Sequence, residues 1–267
     1  MAKLDGKIFK GILGKTILKN YRGKQLVQQK PCIPKSHMTA KSLKSADTFG
    51  VASKLGSYVR IALHGNISSR PEGTLVSRLV GELMECLYMG KNKAKNEYDL
   101  NTGHFYSLNG FEFNINSLLR RHLFAKPKVN LSGTHLQVQL PELNVSEDIK
   151  FITDASYCKL VICVGMFNLD HGWYTEHVPQ SMDIPRSNKN NKIPARDFNY
   201  VVPEGCLITV GISLQYFEQC YIGDVSLNTK VFNPGAILAA YISEQVNEVP
   251  SIAEDSREMD FSLISRT

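Results

Sequence analysis

The chain has 267 residues, of which 43% are hydrophobic and 21% are charged, a composition that excludes an intrinsically disordered protein. No run of 18 apolar residues occurs, and Gly and Lys interrupt the N-terminal apolar stretch, so we expect neither a membrane-spanning helix nor a signal peptide. The net charge of +6 at pH 7 is compatible with binding to an anionic partner.

Positive charge is concentrated at the N-terminus. Residues 1–45 contain eleven basic residues against one acidic residue, Asp5, which gives +10, whereas the remaining 20 basic and 24 acidic residues give −4. Residues 244–267 are predominantly acidic. Opposite charge in these two stretches favours head-to-tail association with another copy, and two separately solvated stretches are the alternative.

The first predicted element is a Gly-rich, basic arm over residues 1–35. Its glycines alternate with apolar residues, and we assign the role of an assembly arm to Gly6, Ile8, Phe9, Gly11, Ile12, Leu13, Gly14, Ile17, Leu18, Tyr21 and Gly23. The stretch is too apolar for a solvated tail and too interrupted by Gly for an isolated helix. We therefore expect it to become ordered by docking on its own chain or on a neighbouring subunit.

Two other interpretations of this arm concern anionic ligands. Gly14-Lys15-Thr16 matches the end of a P-loop, but Phe9 stands where the first Gly is required, so nucleotide binding is not supported. Non-specific nucleic-acid binding is the stronger alternative, since Lys predominates over Arg and Phe9 and Tyr21 are available for stacking. Its candidate contacts are Lys7, Lys10, Lys15, Lys19, Arg22 and Lys24.

Residues 36–110 are predicted to form a helical pair followed by a polar loop. Apolar residues recur at spacings of three and four between residues 43 and 62, after Ser36 or Thr39 as the N-cap, and again between residues 75 and 87. The polar, aperiodic stretch 91–110 is the predicted loop. The sequence leaves open whether the two helices pack on the remaining chain.

Residues 111–245 have the alternation that is typical of β-strands. Strands are predicted over residues 111–113, 136–140, 157–169, 173–178, 207–217 and 236–242. Their separation by turns rich in Pro, Gly and Asn indicates an antiparallel β-sandwich of immunoglobulin-like texture. The predicted fold class is therefore α+β, with residues 246–267 as an acidic tail.

Candidate chemistry is sparse. Asp170, His171, Glu176 and His177 form a tight cluster, but the first two fall in a predicted turn and the last two point to opposite faces of the next strand. The six cysteines show no CxxC spacing, which indicates reduced, buried thiols of a cytoplasmic protein. We therefore expect no metal, no cofactor and no enzymatic activity.

A third hypothesis concerns the polar stretch 182–196, which is predicted to be a long loop. Long loops inside compact domains are frequently functional. A β-sandwich that binds a carbohydrate or a peptide through this loop would need exposed aromatic side chains at the nearby Trp173 and Tyr174.

The N-terminal residues resemble an uncharacterised bacterial family that opens with a G-x-x-G-x-x-G motif, an aromatic-x-G-K step, a Pro and a Thr-led helix. The matching residues are Gly6, Phe9, Gly11, Gly14, Lys15, Tyr21, Gly23, Lys24, Pro31, Thr39 and Phe49. Lys41, Lys44 and Gln29 depart from the pattern. The resemblance covers about fifty residues and implies a shared architecture and N-terminal role, without catalytic residues.

The sequence thus favours a non-enzymatic structural protein that assembles with copies of itself through its N-terminal arm. Non-specific nucleic-acid binding through the same arm is the first alternative, and the carbohydrate- or peptide-binding sandwich is the second.

Overall fold

The computed structural model describes residues 2–21, 23–30, 38–67, 71–90, 104–186, 192–243 and 255–260. The chain divides into two compact units, residues 1–46 and residues 47–267, and the first helix runs across the boundary. The α+β fold class is confirmed. In the described part of the chain, no helix has both the length and the apolar content needed to cross a membrane.

The helices are α1 (Ala40–Ala62), α2 (His64–Ile67), α3 (Leu75–Met89) and α4 (Val145–Asp148). The strands are β1 (Lys3–Asp5), β2 (Ile8–Leu13), β3 (Thr16–Tyr21), β4 (Lys24–Gln29), β5 (Lys128–Ser132), β6 (His135–Leu140), β7 (Leu143–Asn144), β8 (Tyr157–Asn168), β9 (Trp173–Glu176), β10 (Gln180–Pro185), β11 (Lys192–Ile193), β12 (Arg196–Val201), β13 (Leu207–Cys220), β14 (Gly223–Ser226), β15 (Gly235–Ile242) and β16 (Arg257–Glu258).

The two long helices lie where the spacing predicts them, but the apolar stripe of α1 is buried only from Ala52 onward, since Leu43, Ala46 and Phe49 are exposed. Thr39 is the N-cap of α1, because its hydroxyl oxygen accepts a hydrogen bond of 3.1 Å from the backbone N–H of Ser42. The other predicted cap, Ser36, lies outside the described residues. In α3 the apolar stripe that includes Leu75, Leu79 and Leu83 is buried, as the spacing of four residues requires.

A seven-stranded sheet organises the second unit around β8 and β13. These two long strands pair antiparallel from Tyr157 with Phe217 to Phe167 with Leu207. Beyond β8 lie β10 and β9, and β16 pairs with β9, while β14 and β15 pair with β13. A three-stranded sheet in the order β12-β6-β5 and a short pairing of β11 with β7 complete the described strands of this unit.

Both faces of the large sheet are buried at its central strands, β8 and β13. On β8 the odd-numbered Val161, Cys163 and Phe167 pack with α1 and α3 in one apolar cluster. The even-numbered residues, such as Leu160 and Val164, pack with the three-stranded sheet in a second cluster. The helices therefore pack on a sheet, which answers the question that the sequence left open. Burial on both sides also explains why β8 reads as a continuous apolar run.

Most of the predicted strands are confirmed, with two differences. Residues 111–113 form no strand and contribute a single bridge between Glu112 and Ala236. Of the predicted loop 182–196, residues 182–185 lie in β10 and pair with β8, with Ile184 buried. Residues 192 and 193 form β11, and Arg196 begins β12. Pro185 is the last residue of β10, a position where proline is tolerated. The immunoglobulin-like texture stays a prediction.

Part of the predicted acidic tail is attached to the second unit. Arg257 and Glu258 form β16 on β9, and the side chain of Met259 is buried in the cluster beneath the helices. Asp260 forms an ion pair of 2.9 Å with Lys54. Residues 244–254 and 261–267 lie outside the described residues.

A buried amide connects α2 to the large sheet. The Asn66 side chain donates hydrogen bonds to the carbonyl oxygen of Val161 at 2.9 Å and to the Ser213 hydroxyl at 3.1 Å. The side chain of Asn233 in turn donates a bond of 2.8 Å to the carbonyl oxygen of Ile67. Because unpaired buried polar groups are costly, this network fixes where α2 sits on the sheet.

Candidate docking surface

The N-terminal stretch folds as a four-stranded antiparallel sheet in the order β1-β2-β3-β4. Its first two connections are the two-residue turns Gly6-Lys7 and Gly14-Lys15, and the glycines have φ values of 62° and 58°. Such tight hairpins need a residue with positive φ, which glycine adopts without strain. Of the four glycines expected to interrupt an arm, Gly6, Gly14 and Gly23 are therefore turn residues of a folded sheet, and Gly11 lies within β2.

The strand register sorts the side chains onto two faces. Leu4 pairs with Phe9, Leu13 with Thr16, and Leu18 with Val27, so the members of each pair lie on the same side of the sheet. Continuing the alternation along each strand defines an uncharged face made of Leu4, Phe9, Gly11, Leu13, Thr16, Leu18, Asn20, Gln25, Val27 and Gln29. None of these residues carries a charge at neutral pH.

The opposite side is the basic face. It consists of Lys3, Asp5, Ile8, Lys10, Ile12, Ile17, Lys19, Tyr21, Lys24, Leu26 and Gln28. The Lys10 ammonium group pairs with the Asp5 carboxylate, and this hydrogen bond and charge hold the pKa of Asp5 below its ordinary value. The sheet thus places every charged side chain of its strands on one face, where apolar side chains accompany them, and leaves the other face without charge.

The sheet has no apolar core. None of the described residues between 2 and 30 is buried, and large apolar side chains on the uncharged face are well exposed: Leu4 is 63%, Phe9 50%, Leu13 65% and Val27 59% accessible. Small sheets depend on a packed face for their stability. The uncharged face is therefore the candidate docking surface.

Gln25 holds the sheet together internally. Its amide oxygen accepts a hydrogen bond of 2.7 Å from the N–H of Phe9, and its amide nitrogen donates one of 2.9 Å to the carbonyl oxygen of Phe9. One side chain on β4 thereby satisfies both backbone groups of a residue on β2, two strands away. This clamp fixes the relative position of β2 and β4 on the uncharged face.

The predicted site residues divide among three places. Phe9, Gly11, Leu13 and Leu18 lie on the uncharged face, whereas Ile8, Ile12, Ile17, Tyr21, Lys10, Lys19 and Lys24 lie on the basic face. Gly6, Lys7, Gly14, Lys15 and Gly23 lie in the turns, and Arg22 is outside the described residues. Sequence reasoning missed Leu4 and Val27 as members of the candidate docking surface. Strand alternation between Gly turns is the signal that would have found them.

The acid–base cluster does not converge. Asn168 accepts hydrogen bonds from the backbone N–H of His171 at 2.8 Å, and the His177 ring nitrogen Nε2 lies 2.8 Å from the carbonyl oxygen of Val201. Glu176 forms a 3.4 Å ion pair with Arg257 beside a cavity of about 350 Å³. Within the described residues, no three His, Cys, Asp or Glu side chains are placed to share a metal.

The third hypothesis lacks its required feature. Trp173 and Tyr174 are both buried, and Tyr174 stacks on Phe167 inside the core, so neither ring offers an exposed platform for a carbohydrate. Residues 187–191 of the predicted loop lie outside the described residues.

The buried thiols allow a direct check of the second unit. Cys86, Cys158, Cys163 and Cys206 are buried, and burial raises the pKa of Cys158, Cys163 and Cys206 to about 12. At pH 8 these thiols hold almost no thiolate, which is the reactive form. We expect brief iodoacetamide labelling of the native protein, mapped by peptide mass spectrometry, to spare all four cysteines. Labelling of any of them as fast as in urea would contradict the described packing.

Comparison of the chain with protein-family models, with curated proteins and with solved structures finds no match. The resemblance of the first fifty residues to an uncharacterised bacterial family stays a prediction.

Proposed function

We propose that the protein is a non-enzymatic structural protein that self-associates by packing the uncharged face of residues 2–30 against the same face of a second copy. The observation that carries this proposal is a four-stranded sheet without a buried residue, one side of which has no charged side chain and leaves Leu4, Phe9, Leu13 and Val27 exposed. Packing two such faces would remove Leu4, Phe9, Leu13 and Val27 from water on both copies.

The choice of a second copy as the occupant follows from charge and symmetry. In a two-fold contact, each side chain approaches the same surface on the partner, so a charged face would meet its own charge. The basic face is unsuited to this contact, whereas the uncharged face brings no like charges together. Two copies of this sheet packed through their uncharged faces would lie about 10 Å apart, the ordinary separation of packed β-sheets.

The size of the face sets the expected affinity. Three strands of six residues and one of three cover roughly 330 Å² per copy, which makes roughly 660 Å² for the pair. This is below the size of standard stable interfaces. Association is also opposed by the loss of rotational and translational freedom of the two copies, which costs about 4–15 kcal/mol. We therefore expect a concentration-dependent equilibrium in the micromolar range or weaker.

The test uses matched variants on the same two strands. Leu13→Lys with Val27→Lys places two charges on the uncharged face, and Ile12→Lys with Leu26→Lys places the same charges on the basic face, one residue away on each strand. Sedimentation equilibrium from about 5 to 500 µM should show association of the wild type and of the control. The dissociation constant of the uncharged-face variant should be at least tenfold higher than that of the wild type, which is a loss of about 1.4 kcal/mol in the free energy of association.

Two outcomes would overturn the proposal. One is a wild-type chain that stays monomeric over the whole concentration range. The other is equal weakening by both pairs of substitutions, since that would point to charge or unfolding rather than to one face. Circular dichroism of each variant establishes that the strands are retained.

A further inference from the structure

The basic face gathers cations from all four strands of the N-terminal sheet. Lys3 on β1 pairs directly with Lys10 on β2, Lys19 lies on β3, and Lys24 on β4 pairs with Tyr21. Strands in a sheet are about 4.8 Å apart, so these lysines form a band roughly 15 Å wide across the sheet. Along the sequence they are separated by apolar residues and turns, and only the register brings them together.

This arrangement leaves positive charge without compensation on the face itself. Four lysines stand against one carboxylate, that of Asp5, which is already paired with Lys10. Like charges directly across a strand pair, as with Lys3 and Lys10, destabilise a sheet. An anionic partner would remove that repulsion, so the face is complementary to a negatively charged ligand.

The apolar neighbours of the lysines indicate which anion fits. Ile8, Ile12, Ile17, Tyr21 and Leu26 share the face with the lysines. A duplex presents phosphates and groove edges, and a flat sheet four strands wide does not enter a major groove of about 12 Å. A single strand presents unpaired bases as well as phosphates, and bases stack on aromatic and apolar side chains of β-sheets.

We propose that the basic face of residues 2–30 binds single-stranded nucleic acid, with the lysines contacting phosphates and Tyr21 and its apolar neighbours contacting bases. The uncharged face is not involved, so this proposal stands independently of self-association. Contacts of this kind do not read sequence, and the affinity should fall steeply with salt.

The experiment is fluorescence anisotropy of a labelled 20-nucleotide oligothymidylate, titrated with the full chain between 50 and 200 mM NaCl. Four phosphate contacts predict a slope of log K against log salt near −2.8, and hence a loss of affinity of about fifty-fold over this range. A duplex of the same length should bind at least fivefold more weakly at each salt concentration.

Two pairs of substitutions with equal charge change locate the site. Lys3→Gln with Lys19→Gln removes two lysines from the basic face, and Lys7→Gln with Lys15→Gln removes two from the turns. The first pair should weaken binding about tenfold and reduce the salt slope by about 1.4, while the second should weaken it less than threefold. Tyr21→Ser should weaken binding with little change in the slope, because stacking releases no counterions.

Several results would overturn the proposal. One is that the oligothymidylate does not bind at 50 mM NaCl. Another is that the duplex binds as tightly as the oligothymidylate or more tightly. A third is that the basic-face pair and the turn pair of substitutions lower the affinity equally. Binding to vesicles containing phosphatidylserine together with no binding to the oligonucleotide would also overturn it, since that would assign the basic face to an anionic membrane.

Discussion

Replacing Gly211 by Ala is expected to lower the free energy of unfolding by about 3–4 kcal/mol, through overpacking and a disturbed buried amide. A Cβ atom at this position would overlap the Asn66 Oδ1 atom and lie 3.2 Å from the Leu63 Cδ2 atom. Asn66 cannot move aside without losing its bonds to Val161 and Ser213. The measurement is urea unfolding followed by the fluorescence of Trp173, the single tryptophan, which is buried in the second unit.

The control for this prediction is a Gly→Ala substitution at a position where an added Cβ atom meets no neighbouring atom. Gly81 lies on the exposed side of α3, and nothing lies within 4 Å of a Cβ atom added there. Gly81→Ala should stabilise by about 0.5–1 kcal/mol, because alanine favours helix. Asn66→Ala should relieve part of the cost of Gly211→Ala in a double-mutant cycle. Additive losses in that cycle would show that Gly211 and Asn66 do not contact each other.

Phe198→Ala is expected to lower the free energy of unfolding by about 3–5 kcal/mol. Phe198 on β12 is fully buried opposite Val138 of β6, where the three-stranded sheet packs on the even-numbered side of β8. Removing the ring would leave a cavity between two sheets that are each held in place by their own hydrogen bonds, so collapse around the gap is restricted.

The neighbouring residue on the same strand provides the comparison. Asn199 is exposed, and its side chain points away from the buried layer. Asn199→Ala should change stability by no more than about 0.5 kcal/mol. Similar losses from both substitutions in the same urea titrations would contradict the assignment of the inner and outer sides of β12.

Local periodicity was sufficient to predict the helices and the long strands. The spacing of three and four residues that gave α1 and α3, and the alternation that gave β6 and β13, arise within one element and need no knowledge of its partners. The polarity of residues 182–196 predicts a loop, and the partner that makes residues 182–185 a strand lies in β8, where Met182 pairs with Leu160 and Pro185 with Tyr157. A strand that is defined mainly by its partner leaves little local signal.

The candidate docking surface is a second feature that local sequence signals do not define, because it depends on how strands pair. The stretch was recognised from sequence as apolar, basic and rich in glycine, and its residues were named as a contact region. Its division into two chemically different faces was not predicted, because the alternation becomes visible only once Gly6 and Gly14 are placed in turns. Leu13 and Ile12 are adjacent apolar residues that composition does not distinguish, but the strand register places their side chains on opposite faces of the sheet.

The sequence by itself determined the fold class, the two long helices, the main strands and the concentration of positive charge in the first 45 residues, because composition and short periodicities carry that information. The tertiary structure alone decided which strands pair, which face of β8 meets the helices, and which side of the N-terminal sheet is uncharged. Those choices depend on hydrogen bonds and burial between residues far apart in the chain, and a shift of one residue in register would exchange the two faces.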